Sequence, residues 1–193
     1  MIVLAGLAAG AVLFVLTYRL LLHRVPIKLM DGAEKRLLSI RTSGPNTFHH
    51  GRTPTHKSRQ IVMPSPDLVY SSCVYDLSAG DLAIAGRLPP EGHYWSLSLY
   101  AHNTDNYFVL NDRELASRSF SIVVRREGRS GPLEDTMTIE SPTQTGIALI
   151  RMIQRKQEDL PIIQASQQSI RCHVVKTSAA PYLPGEHGPG GEQ

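Results

Sequence analysis

Two pairs of residues have the types and the spacing for polar chemistry. Asp67 follows Pro66 and stands three residues before Tyr70, and His102 stands three residues before Asp105 with Asn103 and Thr104 between them. Brought together, the four would line a pocket with carboxylate acceptors, a hydroxyl donor and an imidazole. Such a set suits hydrogen-bonding a small ligand or passing a proton. The structural alternative has Asp67 closing an Asx-type turn and Tyr70 packed with its hydroxyl satisfied. That alternative is preferred for Asp67 and Tyr70, and the Asn103–Asp105 run also suits a turn that serves itself.

Other reactive side chains are less organised. His49, His50 and His56 cluster in a proline-broken stretch, and His93 and His102 stand at opposite ends of one expected strand. Nine residues of extended chain cover roughly 30 Å, so His93 and His102 cannot share a metal unless the strand breaks. The spaced His and Glu ligands of a cupin-type site are missing, and no metal or cofactor is expected. Ser71 and Ser72 lack the glycines of a nucleophile elbow, and nothing resembles a glycine-rich phosphate loop. Cys73 reads as a core thiol. With Cys172 it forms either one disulfide in an oxidising compartment or two buried thiols in a reducing one.

The elements that must position these residues are mostly strands. Residues 94–101 alternate Trp95, Leu97, Leu99 and Ala101 against Tyr94, Ser96, Ser98 and Tyr100, a period-two pattern that makes a strand. Further strands are expected at 69–76, 82–87, 107–110, 120–125, 136–140, 147–153 and 171–176. A short helix is expected over 158–170, after Asp159-Leu160-Pro161. The fold class is mainly β: an antiparallel sandwich or jelly-roll-like domain. It occupies 46–177, with 46–65 as a long loop and a disordered tail at 178–193.

Ahead of this domain, residues 2–16 contain only Ile, Val, Leu, Ala, Gly and Phe, and residues 20–22 extend the run. As a helix, 2–22 spans about 30 Å, the thickness of a bilayer core. No basic residue precedes the run and no small-residue cleavage site follows it. A retained anchor over 1–24 is therefore expected rather than a signal peptide. An amphipathic linker helix is expected over 25–45, ending at Gly44-Pro45. The chain of 193 residues has a net charge of +3. Much of the excess lies in Arg19, Arg24, Lys28, Lys35 and Arg36, so membrane lipid headgroups, not nucleic acid, are the expected partner of this charge.

The segment Met63-Pro64-Ser65-Pro66-Asp67-Leu68-Val69-Tyr70-Ser71-Ser72-Cys73-Val74-Tyr75-Asp76-Leu77-Ser78 resembles the family called domain of unknown function 1254. Its members read roughly P-N-x-D-T-x-Y-S-x-x-x-x-D-L-S. Gly92 to Tyr100 is similar to that family's G-x-Y-x-S-L-x-L stretch, and the likeness runs on through Asn103 to Phe108. Ser65-Pro66 stands where Asn is usual, and Leu68 where Thr is usual. The resemblance implies a β-rich domain, often exported in bacteria, with no established activity. Larger relatives carry a companion domain, numbered 1214, which this chain is expected to lack.

These readings point to a single-pass membrane protein of the bacterial inner membrane. It is expected to be a non-enzymatic accessory or binding subunit whose partner is another protein chain, one carrying the companion domain. The alternative is an enzyme or ligand-binding protein with its pocket at Asp67, Tyr70, His102 and Asp105. The side of the membrane is contested. Basic residues after the span favour a cytoplasmic domain, whereas the resemblance favours the periplasm, which is preferred.

Overall fold

The computed structural model describes residues 2–40, 44–55, 58, 64–90, 92–115, 117–129 and 136–175. The expected tail at 178–193 and His56 lie outside them. One helix, α1 (Ile2–Ser39), carries the apolar run and continues without a break into the expected linker at 25–45, but it ends at Ser39, short of Gly44-Pro45. Pro26 lies inside it. A proline there removes one donor, the one that would reach the Leu22 carbonyl, and the flanking Leu, Met, Lys and Arg residues favour helix enough to carry the chain through. The apolar half of α1 is exposed along its length and is long and apolar enough to cross a membrane.

The strands follow as β1 (His49–His50), β2 (Leu68–Asp76), β3 (Asp81–Arg87), β4 (Trp95–Ala101), β5 (Asn106–Asn111), β6 (Ser119–Arg126), β7 (Met137–Ser141), β8 (Thr145–Ile153) and β9 (Arg171–Val175). A 3-10 turn (Gln157–Asp159) and helix α2 (Leu160–Ser169) precede β9. The Asp159 carboxylate opens this helical stretch, accepting from the backbone N–H groups of Arg155 at 2.8 Å and Lys156 at 3.0 Å. Those bonds, the Lys156 amide first, hold it below the usual carboxylate range.

Two sheets result, ordered β1-β2-β8-β4-β5 and β7-β6-β3-β9. All pairings are antiparallel except β6 with β7, where Ile122 meets Met137 and Arg126 meets Ser141 in parallel register. The second sheet is therefore mixed, not antiparallel throughout. After β7 the chain crosses to the first sheet as β8. Strand β1 was expected as loop. Two residues with no apolar alternation carry no period to read, and the ladder His49–Ser72 and His50–Ser71 alone makes it a strand.

Alternation along the strands supplies the core. Val69, Cys73 and Tyr75, with Trp95, Leu97, Leu99, Ile150 and Met152, face Leu82, Ile84, Ile122 and Val124 of the other sheet. The rings of Trp95 and Phe120 stack at 6.1 Å, which seats β6 over β4. The sulfur atoms of Cys73 and Cys172 are joined, which seats β9 over β2. On that flank α2 closes the sandwich with buried Ile163, and Gln167 Nε2 donates to the Ser71 hydroxyl at 3.0 Å. On the opposite flank β5 and β7 are the sheet edges, and Val109 and Met137 are exposed there.

One end of the core is polar. The Tyr75 hydroxyl, in a fully buried side chain, lies 3.2 Å from the Tyr100 carbonyl and 3.1 Å from the hydroxyls of both Tyr107 and Ser141. Burial pushes both phenols above their usual range, so they stay neutral and share hydrogen bonds as donors and acceptors. Gly146 makes room for this: a Cβ there would overlap the Tyr75 hydroxyl and the Tyr100 carbonyl. Both neighbours are fixed, one as backbone and one by its network. Gly146→Ala is expected to cost about 1–3 kcal/mol by overpacking. Urea unfolding of the detergent-solubilised chain measures it, and an unchanged midpoint would contradict the packing.

Candidate functional site

The four sequence-predicted site residues fall at opposite ends of the first sheet. Tyr70 is paired with Arg151 of β8, and Asp67 precedes β2 at that same end. Ala101, next to His102, is paired with Gly146 of β8. Five residues along one strand separate these levels by roughly 17 Å. The expected pocket of Asp67, Tyr70, His102 and Asp105 does not assemble, because β2 and β4 run in parallel on either side of β8 and place the start of one far from the end of the other.

Each residue has a local task. The Asp67 side chain is exposed, and its carbonyl accepts from the Gln154 amide at 2.8 Å. The Tyr70 hydroxyl accepts from the Ser65 N–H at 2.9 Å and so ties down the segment entering β2. Asp105 accepts from the Asn103 side-chain amide at 2.6 Å, in a turn where Thr104 has a φ of 74°. Positive φ is uncommon outside glycine, and the Asn103–Asp105 bonds hold the turn across it.

His102 has the richest surroundings. Its Nε2 lies 3.2 Å from an Asp31 carboxylate oxygen, and its Nδ1 lies 3.1 Å from Glu34 Oε1 and 3.0 Å from the Thr145 hydroxyl. Asp31 and Glu34 belong to α1, so the imidazole bridges the long helix and the sandwich. A ring protonated on both nitrogens can donate to both carboxylates at once. The acids approach opposite edges of the ring, which rules out one metal ion held by all three. Among the described residues no group of His, Cys, Asp and Glu has the geometry to hold a metal.

Beside this clamp, Met30 and Leu37 of α1 pack on Val74 and Ile147, with Leu38 and Tyr100 at the margin. Next along the outer face of the sheet, Arg151 donates from Nε to the Ser96 hydroxyl and from Nη2 to the Ser98 hydroxyl, both at 3.1 Å. Ser96 and Ser98 are thereby buried and satisfied on the face the sequence marked as polar. Beyond them a shallow groove runs between the end of α1 and β1, lined by Leu37, Ile40, His49, Arg52 and Tyr70. Its rim is mixed: apolar from the helix, cationic at Arg52. Of the four predicted residues only Tyr70 reaches it.

Other ion pairs and hydrogen bonds among the described residues lie elsewhere. Asp81, fully buried on the second sheet, accepts from Arg125 Nε at 2.9 Å and from Arg129 Nη1 at 3.3 Å, and Arg125 Nη2 lies 2.9 Å away in the same ion pair. His93 Nε2 lies 3.5 Å from Asp159, and His50 Nδ1 lies 3.0 Å from the Ser71 hydroxyl. The partners of His102 were legible in part. Asp31 and Glu34 are three apart, on the helical face that also carries Met30, Leu37 and Leu38, and acids on an apolar stripe call for a buried partner.

Comparison with known proteins agrees with the fold. The family described as protein of unknown function, DUF1254, matches residues 45–174. The crystal structure of the VPA0106 protein from Vibrio parahaemolyticus superposes with a TM-score of 0.67 at 11% identity, over 88% of this chain and 41% of that one. An uncharacterized protein from Burkholderia cenocepacia gives a TM-score of 0.46 at 14% identity, over 81% and 43%. This chain thus spans less than half the length of either. Among curated proteins none matches.

The clamp makes a direct prediction. His102→Ala takes from Asp31 and Glu34 the imidazole that both adjoin, and leaving such partly buried polar groups without their partner costs about 1–3 kcal/mol. Amide hydrogen exchange at 30–39 should then accelerate roughly five- to a hundred-fold if that half of α1 exchanges by undocking. Unchanged exchange would show that the imidazole holds nothing.

Proposed function

The chain belongs to the protein family of unknown function DUF1254, and from that premise we propose that it is a membrane-anchored, non-enzymatic accessory or binding subunit. The observation that carries this reading is the continuity of α1. The same helix offers about 30 Å of exposed apolar surface at 2–22 and docks on the sandwich at Met30, Asp31, Glu34 and Leu37. A sandwich held this way cannot wander on a tether. It stands at a set orientation over the membrane, with the His102–Asp105 end nearer the bilayer and the groove at Tyr70 farther out.

The flank away from α2 suits a partner chain. Edges β5 and β7 lie side by side there, with Val109 and Met137 exposed and Tyr107, Phe108, Leu115 and Ile139 partly covered beneath them. Among the described residues neither strand pairs on its outer side, and such edges beside apolar side chains accept a further strand or sheet. The partner proposed is a chain carrying the companion domain. The Cys73–Cys172 link supports putting the sandwich on the oxidising, periplasmic side of the inner membrane.

Purification of the full chain in mild detergent tests this. The expected result is a stable complex with a companion-domain chain, lost in Val109→Arg and Met137→Arg variants that still carry blocked Cys73 and Cys172 thiols. A monomer with no bound chain would overturn the subunit reading. Two thiols free to alkylate without reductant would overturn the compartment.

A further inference from the structure

The second half of α1 is segregated by charge. Its two acids, Asp31 and Glu34, are turned to the sandwich, where His102 takes both. Its bases, Arg24, Lys28, Lys35 and Arg36, are all exposed. At about 100° per residue, Arg24, Lys28 and Lys35 fall within about 40° of one another, and Val25, Leu29 and Arg36 extend the same side to an arc of about 140°. Val25 and Leu29 are 47% and 65% exposed. This side carries bases and two large apolar side chains, and the acid at its margin, Asp31, about 20° from Arg24, is engaged by His102.

We propose that the membrane-proximal part of this face, Arg24 and Lys28 with Val25 and Leu29 between them, binds anionic phospholipid headgroups. This rests on the reading of α1 as a retained span. Arg24 to Leu29 rise about 3–10 Å beyond Leu22, which overlaps the headgroup layer, about 5–8 Å deep on each side of the hydrocarbon. Apolar side chains at that depth reach the acyl boundary while the bases meet phosphates. Lys35 and Arg36 stand about 20 Å out, beyond the roughly 8 Å over which physiological salt lets a surface charge act. Two of the four bases thus do the binding. His102 contributes by drawing away the acids that would otherwise compete with the phosphates for the same helix.

Native mass spectrometry of the full chain, released from nanodiscs offering phosphatidylglycerol and phosphatidylcholine equally, tests the proposal. The wild type should retain phosphatidylglycerol roughly ten- to thirty-fold over phosphatidylcholine, from two basic side chains near the surface. Arg24→Gln with Lys28→Gln should remove the preference, while Lys35→Gln with Arg36→Gln should keep it. Equal retention of both lipids by the intact wild type would overturn the proposal, as would equal loss from the two variant pairs. The same spectra weigh the chain. Absence of its first twenty or so residues would remove the retained span itself, an outcome distinct from indifferent lipid binding by the intact protein.

Discussion

A helix that must leave a hydrophobic run and a sheet that must cover its outer face meet at one joint, and the rest of the architecture is arranged around it. Met30, Leu37, Val74 and Ile147 bury one another between α1 and the first sheet. At about 1.5–3 kcal/mol for each fully buried side chain, this contact outweighs the hydrogen bonds of His102, worth about 0.5–3 kcal/mol each before screening. Screening matters here, because the Asp31 side chain is 36% exposed. Apolar packing supplies the adhesion. His102 supplies the register, because sliding α1 by one turn would leave two carboxylates facing the sheet without a donor.

The joint explains why the outer face of the first sheet is divided. Tyr100, Val74 and Ile147 take the helix, Ser96 and Ser98 take Arg151, and Tyr70 faces the groove at the end of α1. Beneath that face, the polar end of the core needs Gly146 because the Tyr75 hydroxyl approaches the β8 backbone closely. The Cys73–Cys172 link and the Trp95–Phe120 stack hold the second sheet in place beneath it. One flank is closed by α2, and at the other β5 and β7 are the outermost strands among the described residues.

Much of the fold was legible in the sequence because strands buried on one face alternate. Residues 93–102 read as a strand, of which 95–101 form β4, and the helix after Asp159 is α2. Strand β1 has too few residues to show a period. The parallel placement of β7 depends on a return path that no local pattern encodes. The pocket of Asp67, Tyr70, His102 and Asp105 failed for a geometric reason: spacing of three within each pair says nothing about which ends of β2 and β4 adjoin. His102 answers to residues 68 and 71 positions away, and only the two acids on the apolar stripe of α1 carried a trace of it.

If the joint is as rigid as its packing implies, motion of the span must carry the sandwich with it. Spin labels at Leu16→Cys in the apolar half of α1 and at Val109→Cys on β5 measure this in the full chain in lipid nanodiscs, with Cys73 and Cys172 left in place. Double electron–electron resonance should return one narrow distance peak. A broad or multi-peaked distribution would mean that the sandwich swings freely on its anchor, and would contradict the account.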